Sequence, residues 1–431
     1  MWPAVILAAT VSAAPDSGSR RLTLTEAVTM AQRNSPSAVQ AEGAVRNANA
    51  AALSAYGAFI PSFSLSAGAT RQVPSGEGRT RVENGQVVIL PAEPWSFSGG
   101  FGTNVQVFTG GQRWFDIQQA RQDVTAARAG QVTSRFSVTL AVKQQFFNVL
   151  AARESEDAAR AQLQQAEQQF HAAALRVRAK TATRSDSLRA EIQMRNAQLA
   201  VLSAQRDLTV ANAGLTRAVG SDTPVTAATE ELPPPGLRVS EAEVRQLALN
   251  SPAVQEAHAN LSAASAARRG SWASYLPSIS ASYGRNANGT NNDFGWMGPD
   301  YGYSGSFRLS ASVPIFDGFQ RQAQIARSQV AEDNARANVR DAQLAANQTL
   351  AQQLGAFHIA EQQVEAQLAT VAAAEEDLRV QEQRYSVGGS TILDVLASQS
   401  QLTQARQNLI RARYDQRVAK AELEALVGRD L

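Results

Sequence analysis

The side chains that most often carry chemistry are few in this 431-residue chain and stand far apart. The histidines His171, His258 and His358 have no second histidine or cysteine at the spacing of a metal site, and cysteine is absent. The motifs G-x-S-x-G, H-E-x-x-H and G-x-x-x-x-G-K do not occur. We therefore predict that the protein is not an enzyme and holds no metal or cofactor.

Two helix-breaking segments hold the carboxylates that most resemble a site. Residues 385–396 (Y-S-V-G-G-S-T-I-L-D-V-L) interrupt a long helical pattern with two glycines and restart it at a Ser/Thr cap. Residues 178–188 repeat this pattern with lysine and threonine in place of the glycines, and Asp186 stands where the later segment has Asp394. In a cylinder of such hairpins, these aspartates would form a negative ring that favours cations. The sequence leaves open that they are ordinary first-turn aspartates, which complement the helix dipole.

The elements that position these segments occur twice. The matching pairs are N-S-P at 34–36 and 250–252, F-I-P-S at 59–62 and Y-L-P-S at 275–278, and A-V-G at 218–220 and L-V-G at 426–428. We predict a tandem structural repeat, with a first copy over residues 14–220, a Pro-rich linker over 221–238 and a second copy over 239–431.

Each copy contains two segments in which apolar and polar residues alternate, which is the period of a β-strand. The predicted strands cover residues 62–72, 96–108, 278–285 and 301–315. In the second of them the apolar face is Phe97, Phe101, Thr103, Val105 and Val107.

The opposite face of these strands carries Ser, Gly, Asn and Gln, whereas a soluble sandwich normally places Lys and Glu there. Strands of roughly 9–13 residues with these two faces are typical of tilted membrane-spanning strands between lipid and a water-filled lumen. Four strands are too few to close a barrel, and open edges are not tolerated in lipid. The barrel must therefore be shared between chains.

Proline-free helical segments follow each strand pair. We predict a long helix over residues 112–178 with a return helix over 185–219, and another pair over 319–385 and 392–427. Apolar residues recur at every seventh position, which predicts left-handed coiled-coil packing. They are Val142, Val149, Leu163, Phe170 and Val177, with Glu156 as a gap, and Leu350, Phe357, Val364, Val371 and Leu378.

Amino-acid composition and the first residues limit the partners and the location that we expect. The chain has 40 basic and 38 acidic residues interleaved along its helices, and this balance argues against a nucleic-acid partner. Residues 3–11 form an apolar stretch that is followed by a small-x-small site. We therefore predict that residues 1–13 are a signal peptide.

Taken together, the sequence resembles the TolC-like outer-membrane efflux proteins over about residues 22–428. The most specific likeness is R-Y-S-V-G-x-x-T-I-L-D-V-L at residues 384–396, with the paired N-S-P helix starts and the repeated order of strands and helices. The resemblance implies an α+β membrane protein, a homotrimer in which four strands per chain build a 12-stranded outer-membrane β-barrel. This barrel would continue into a periplasmic α-helical coiled-coil barrel about 100 Å long at ~1.5 Å per residue. The implied function is a passive exit duct of a tripartite efflux or type I secretion system.

The resemblance also implies partners and site residues. The partners are outer-membrane lipid, a periplasmic adaptor (membrane fusion) protein and an inner-membrane transporter of RND, ABC or MFS type. Asp394 and Asp186 would line the closed periplasmic aperture. Asp186 and Tyr385 would belong to a polar latch between neighbouring coiled coils, where Ser390 replaces an arginine common in the family. The predicted adaptor-docking residues are Val387, Gly388, Gly389 and Thr391 in the second hairpin tip, and Ala179, Lys180 and Thr181 in the first.

A different class of protein stays open at this point. A non-channel periplasmic coiled-coil adaptor or scaffold would use the same helices and fold its β segments into a small soluble domain. It predicts a monomer that is extracted without detergent, whereas a shared barrel predicts an oligomer that requires detergent.

Overall fold

The computed structural model describes residues 19–72, 80–83, 85–89, 95–229, 236–237, 239–291, 293–295 and 301–431. The predicted signal peptide, and residues 230–235 and 238 of the predicted linker, lie outside these ranges. The chain divides into two compact units. We call them the helical unit, which comprises the described residues up to Gly43 with 129–255 and 342–431, and the sheet unit, which comprises those of 44–128 and 256–341.

The described part of the chain contains eight α-helices. They are α1 (Leu24–Asn34), α2 (Pro36–Gly57), α3 (Gln112–Arg178), α4 (Arg184–Val219), α5 (Glu241–Leu249), α6 (Pro252–Ser271), α7 (Gln320–Ser386) and α8 (Ile392–Val427), and a 3-10 turn (Trp272–Tyr275) follows α6. Local signals set the helix ends. Thr183 and Thr391 cap the starts of α4 and α8, and Gly220 and Gly428 end the same helices in the left-handed conformation that glycine adopts most easily.

The same part of the chain contains eight β-strands. They are β1 (Arg20–Leu22), β2 (Ser62–Arg71), β3 (Thr80–Glu83), β4 (Gln86–Ile89), β5 (Trp95–Thr109), β6 (Val225–Ala227), β7 (Ser278–Asn291) and β8 (Gly302–Ser312). The long strands form an antiparallel sheet in the order β2-β5-β7-β8. The short strands β3 and β4 form a separate hairpin between β2 and β5.

Three details of the sheet differ from the sequence prediction. β7 continues to Asn291, six residues beyond its predicted end, because it pairs with β5 along its whole length. β8 stops at Ser312 and not at residue 315, since Pro314 has no N–H to donate to a ladder. A bulge in β5 leaves Val107 without a paired residue, so Phe108 takes the next paired position.

The two faces of the four-stranded sheet differ in chemistry. On the apolar face one row of the ladder runs from Leu65 through Phe101 and Arg285 to Gly305. Leu65 is 85% exposed, so this row is open to solvent, whereas Phe97 on the same face is buried beside the ring of Phe294. The opposite face consists of Ser, Gly, Asn, Thr and Gln with one charged residue, Arg308.

The main core of the helical unit lies where β1, β6 and α1 pack against α3 and α4. Leu22, Phe146, Leu215 and Val225 are fully buried in it. β6 pairs in parallel with β1, which lies about two hundred residues earlier in the chain. Part of the predicted linker is therefore a strand. The sequence did not predict it, because three residues are too few to show the alternation of a β-strand.

The predicted heptad positions are buried or half-buried in the helical unit. Val142 and Val149 are fully buried, and Phe357 belongs to a second core cluster between α5, α7 and α8. The gap in the first heptad series is also a packed position. Glu156 is buried there, and its carboxylate accepts a hydrogen bond from Arg160 at 2.5 Å.

Candidate gate at the helix-hairpin tips

The second hairpin tip joins α7 to α8 through a tight glycine turn. The N–H of Gly389 donates to the carbonyl of Arg384 at 2.7 Å, and the N–H of Gly388 donates to that of Tyr385 at 3.2 Å. Gly388 has φ of 77°. This pattern is a Schellman motif, which satisfies helix-end carbonyls and requires a left-handed residue.

The first tip, between α3 and α4, has the same backbone without glycine. The N–H of Thr181 donates to the carbonyl of Arg176 at 2.9 Å, and the N–H of Lys180 donates to that of Val177 at 3.0 Å. Lys180 has φ of 60°, a conformation that disfavours residues with a Cβ. The two tips therefore share one fold, although their turn residues differ.

Both predicted aperture aspartates close capping boxes. Oδ2 of Asp394 accepts hydrogen bonds from the N–H and the hydroxyl of Thr391, each at 2.8 Å. Oδ2 of Asp186 accepts the same two bonds from Thr183, at 3.0 and 2.8 Å. The backbone and hydroxyl bonds from Thr391, aided by nearby Arg384, lower the pKa of the Asp394 carboxyl below its ordinary value. Asp394 therefore caps the start of α8 and keeps its negative charge in water. The alternative that the sequence left open, a first-turn aspartate that complements the helix dipole, describes part of its role.

The predicted latch residues lie in their own tips, and one contact joins the tips. The guanidinium of Arg176 on α3 lies over the ring of Tyr385 on α7, with Cζ 4.9 Å from the ring centroid. Ser390 donates to the carbonyl of Gln381 at 3.2 Å, and Asp186 bonds within its capping box. Sequence reasoning missed Arg176, although it occupies in the first tip the place that Arg384 has in the second, 208 residues later.

The predicted adaptor-docking residues lie on the surface of the tips. Val387 is 82% exposed. The exposed backbone positions and side chains of the two tips are Gly388, Gly389, Thr391, Ala179, Lys180 and Thr181. The second tip therefore presents an apolar side chain to solvent at a glycine turn.

The described residues hold no group of His, Cys, Asp and Glu that could bind a metal ion. His358 contacts Glu241 at 3.1 Å on the surface of the helical unit, away from the tips. Among the described helices, none combines the length and apolar character needed to cross a bilayer.

Comparison with known proteins decides the family. The sequence profile described as "Outer membrane efflux protein" matches residues 27–221 and 244–429. The chain belongs to the outer membrane efflux protein family. It is an outer-membrane protein of efflux or export systems.

Individual relatives are similar along most of the chain. Protein CyaE of Bordetella pertussis is 28% identical over 395 residues, which cover 90% of this chain and 80% of CyaE. The pyoverdine export outer membrane protein OpmQ of Pseudomonas aeruginosa is 26% identical over 89% of this chain and 79% of OpmQ. The crystal structure of the outer membrane protein VceC of Vibrio cholerae superimposes with a TM-score of 0.74 at 16% identity, covering 94% of this chain and 96% of VceC, and so shares the fold.

Proposed function

We propose that this protein is the outer-membrane exit duct of a tripartite efflux or type I secretion system. In this proposal three copies share one β-barrel, and their helices form a periplasmic tunnel that the hairpin tips close. The protein performs no chemistry on the substrate, which an inner-membrane transporter drives through an adaptor into the duct.

The observation that carries the proposal is the open, two-faced sheet. Within the described residues, β2 and β8 are edge strands with no partner on their outer sides. The strands alternate in direction, so β8 of one copy meets β2 of the next in antiparallel orientation, as a closed barrel requires. Closure removes the open edges, which are not tolerated in lipid.

The two faces then have defined surroundings. Exposed side chains such as Phe63, Leu65, Phe307 and Leu309 face lipid, and the Ser, Gly and Asn face lines an aqueous lumen. The helices supply a second interface. Leu188, Ile192, Leu199 and Leu202 on α4 are at least half exposed in a single chain, and burial against a neighbouring copy removes them from water. The number of copies, three, comes from the family resemblance.

The tips form the proposed gate. Asp394 and Asp186 of three copies would place six carboxylates around the periplasmic opening, and such rings favour cations. Tyr385, Asp186 and Ser390 would contribute to contacts between neighbouring hairpins that hold the opening closed. Within one copy, the stacking of Arg176 on Tyr385 supports this closed arrangement because it ties the two tips together.

The partners in this proposal are a periplasmic adaptor and an inner-membrane transporter of RND, ABC or MFS type. Val387, Gly388, Gly389 and Thr391 form the better docking tip, since Val387 offers an exposed apolar side chain. Ala179, Lys180 and Thr181 form the other docking tip, which is polar and basic. The names of relatives refer to pyoverdine export and toluene efflux, and those substrates belong to the relatives.

The test is single-channel recording on the purified protein in planar bilayers. Wild type should conduct with cation preference, and Asp394→Asn should weaken that preference and the block by divalent cations, because it removes three charges from the opening. Asp333→Asn, which removes an exposed charge on α7 far along the chain from the tips, is the matched control and should leave both unchanged. Absence of wild-type channels contradicts the duct, and unchanged selectivity in Asp394→Asn contradicts the aperture assignment alone.

A further inference from the structure

An arginine stands on the apolar face of the sheet. Arg285 in β7 is paired with Phe101 on one side and Gly305 on the other, and its side chain is exposed. Its guanidinium Cζ lies 6.0 Å from the ring centroid of Tyr303. The four long strands contain neither Asp nor Glu, so the sheet itself offers this cation no counter-ion.

Position along the strand fixes the depth of Arg285. Large exposed apolar residues begin where the sheet meets the helices, at Leu276, Ile315 and Phe316. Leu276 and Arg285 are nine residues apart in the chain. At ~3.3 Å per residue and a tilt of about 40°, this separation spans about 23 Å of depth, close to the ~25 Å apolar band of membrane barrels.

Arg285 therefore lies at the boundary of the apolar band that is farther from the helices. Because the helices extend into the periplasm, this boundary belongs to the outer leaflet. An arginine on the lipid face costs about 2–4 kcal/mol at the bilayer centre and roughly 0–1 kcal/mol near the interface. At this depth the bilayer tolerates the charge of Arg285. The neighbouring aromatic side chains form the surroundings of its guanidinium.

Two phenol rings lie beside Arg285 on the apolar face. Gly305, directly opposite, has no side chain, and a Cβ placed there would lie 3.9 Å from the hydroxyl oxygen of Tyr283. Tyr283 therefore reaches over this glycine, and the phenol rings of Tyr283 and Tyr303 flank the guanidinium. The planar guanidinium has five N–H donors in a fork that matches phosphate oxygens, and a phenol hydroxyl adds another donor.

We propose that Arg285, with Tyr283 and Tyr303, binds the phosphate group of an outer-leaflet phospholipid or phosphoglycolipid on the outer surface of the barrel. The inference rests on the proposed function, in which the apolar face meets lipid. A bound phosphate neutralises the arginine, and the acyl chains of the same lipid cover the exposed rings below it. Three copies give three such sites around the barrel.

The test measures lipid binding by the full chain, purified in detergent, with native mass spectrometry. The probes are diphosphoryl lipid A and the same lipid with both phosphates removed. Wild type should bind the phosphorylated form about tenfold more tightly, the range of a charge-assisted hydrogen bond, and Arg285→Gln should abolish that difference. Arg308→Gln removes a charge from the polar face of the neighbouring strand and is the matched control, which should bind as wild type does.

Each remaining outcome decides for or against the site. Equal wild-type affinity for the two probes overturns the proposal without any variant, so a failure of Arg285→Gln to assemble does not leave it untested. An equal loss in Arg308→Gln, or displacement of the lipid by excess inorganic phosphate, also overturns it, because the site would then be general charge or a free-anion site. The same preparation is assayed for conductance. If the protein conducts but does not prefer the phosphorylated lipid, the lipid site is wrong and the proposed function stands. If the wild type does not conduct, the duct itself is contradicted.

Discussion

A buried ion pair joins α3 to α8 in the helical unit. Nζ of Lys143 lies 2.5 Å from Oε2 of Glu424, and the two side chains are 17% and 9% exposed. Glu424 also accepts the backbone N–H of Leu431 at 3.4 Å. Removal of one partner leaves a charge in the core, so we expect Lys143→Met to destabilise the last turns of α8 by about 3 kcal/mol.

The magnitude depends on the charge that remains. Losing one partner of a buried pair costs roughly 3–5 kcal/mol, and the lower end applies here because both side chains keep some contact with water. Glu424→Leu should cost about half as much, since the flexible stem of Lys143 lets its ammonium group move toward solvent. The double variant removes both charges and should recover most of the loss.

Hydrogen exchange of residues 420–427, followed by mass spectrometry in detergent, measures the effect. A loss of about 3 kcal/mol makes exchange roughly 100-fold faster. Arg379→Met is the control, because it breaks an exposed pair with Glu376 and should change stability by less than about 1 kcal/mol. A double variant that exchanges as fast as Lys143→Met would refute the reasoning, since the loss would then come from packing and not from a stranded charge.

Three further predictions concern the tips and a helix end. Lys180→Gly should stabilise the first tip by about 1 kcal/mol because it relieves a left-handed lysine, and faster rather than slower amide exchange there would contradict this. Gly428→Ala should lower the thermal midpoint of the helical signal, because φ is +71° and a Cβ would lie 2.5 Å from Cγ of Pro252; an unchanged midpoint would count against the packing described. The pKa of Asp394 is lowered in the fold, so its stabilisation of the second tip is present above its ordinary value of 3.8 and lost as the pH falls through the folded value. A spin label beside the tip should report this acid loosening, and Thr391→Val should remove it.

Long periodic elements could be predicted from the sequence. Three of the four predicted strands alternate over more than ten residues, and the heptads of α3 and α7 predict which faces are buried. Helix ends were also readable, since Thr183 and Thr391 are caps and Gly220 and Gly428 are left-handed ends. In each case the signal lies within a few residues of the feature that it predicts.

Features that depend on distant residues could not be read in this way. β6 forms only because β1 pairs with it, and three residues show no period. The repeat predicts that the two tips correspond, but the left-handed conformation of Lys180 could not be read from its residue type. The stacking of Arg176 on Tyr385 joins two tips about two hundred residues apart, and nothing in the local sequence pairs these two residues.

The shared barrel is tested most directly by cross-linking its edges. The chain has no cysteine, so Leu65→Cys in β2 can be combined with a cysteine at Phe307, Leu309 or Ala311 in β8. Cβ atoms on neighbouring strands lie about 5 Å apart, within reach of a disulfide. In native outer membranes we expect one of these pairs to give a covalent product of about three times the 45.9 kDa chain, with no larger species. The pair Leu65→Cys and Phe101→Cys, which are neighbours within one chain, is the control for reactivity and should not change the mass. A reactive control without any cross-linked oligomer from the edge pairs would contradict the barrel shared between copies.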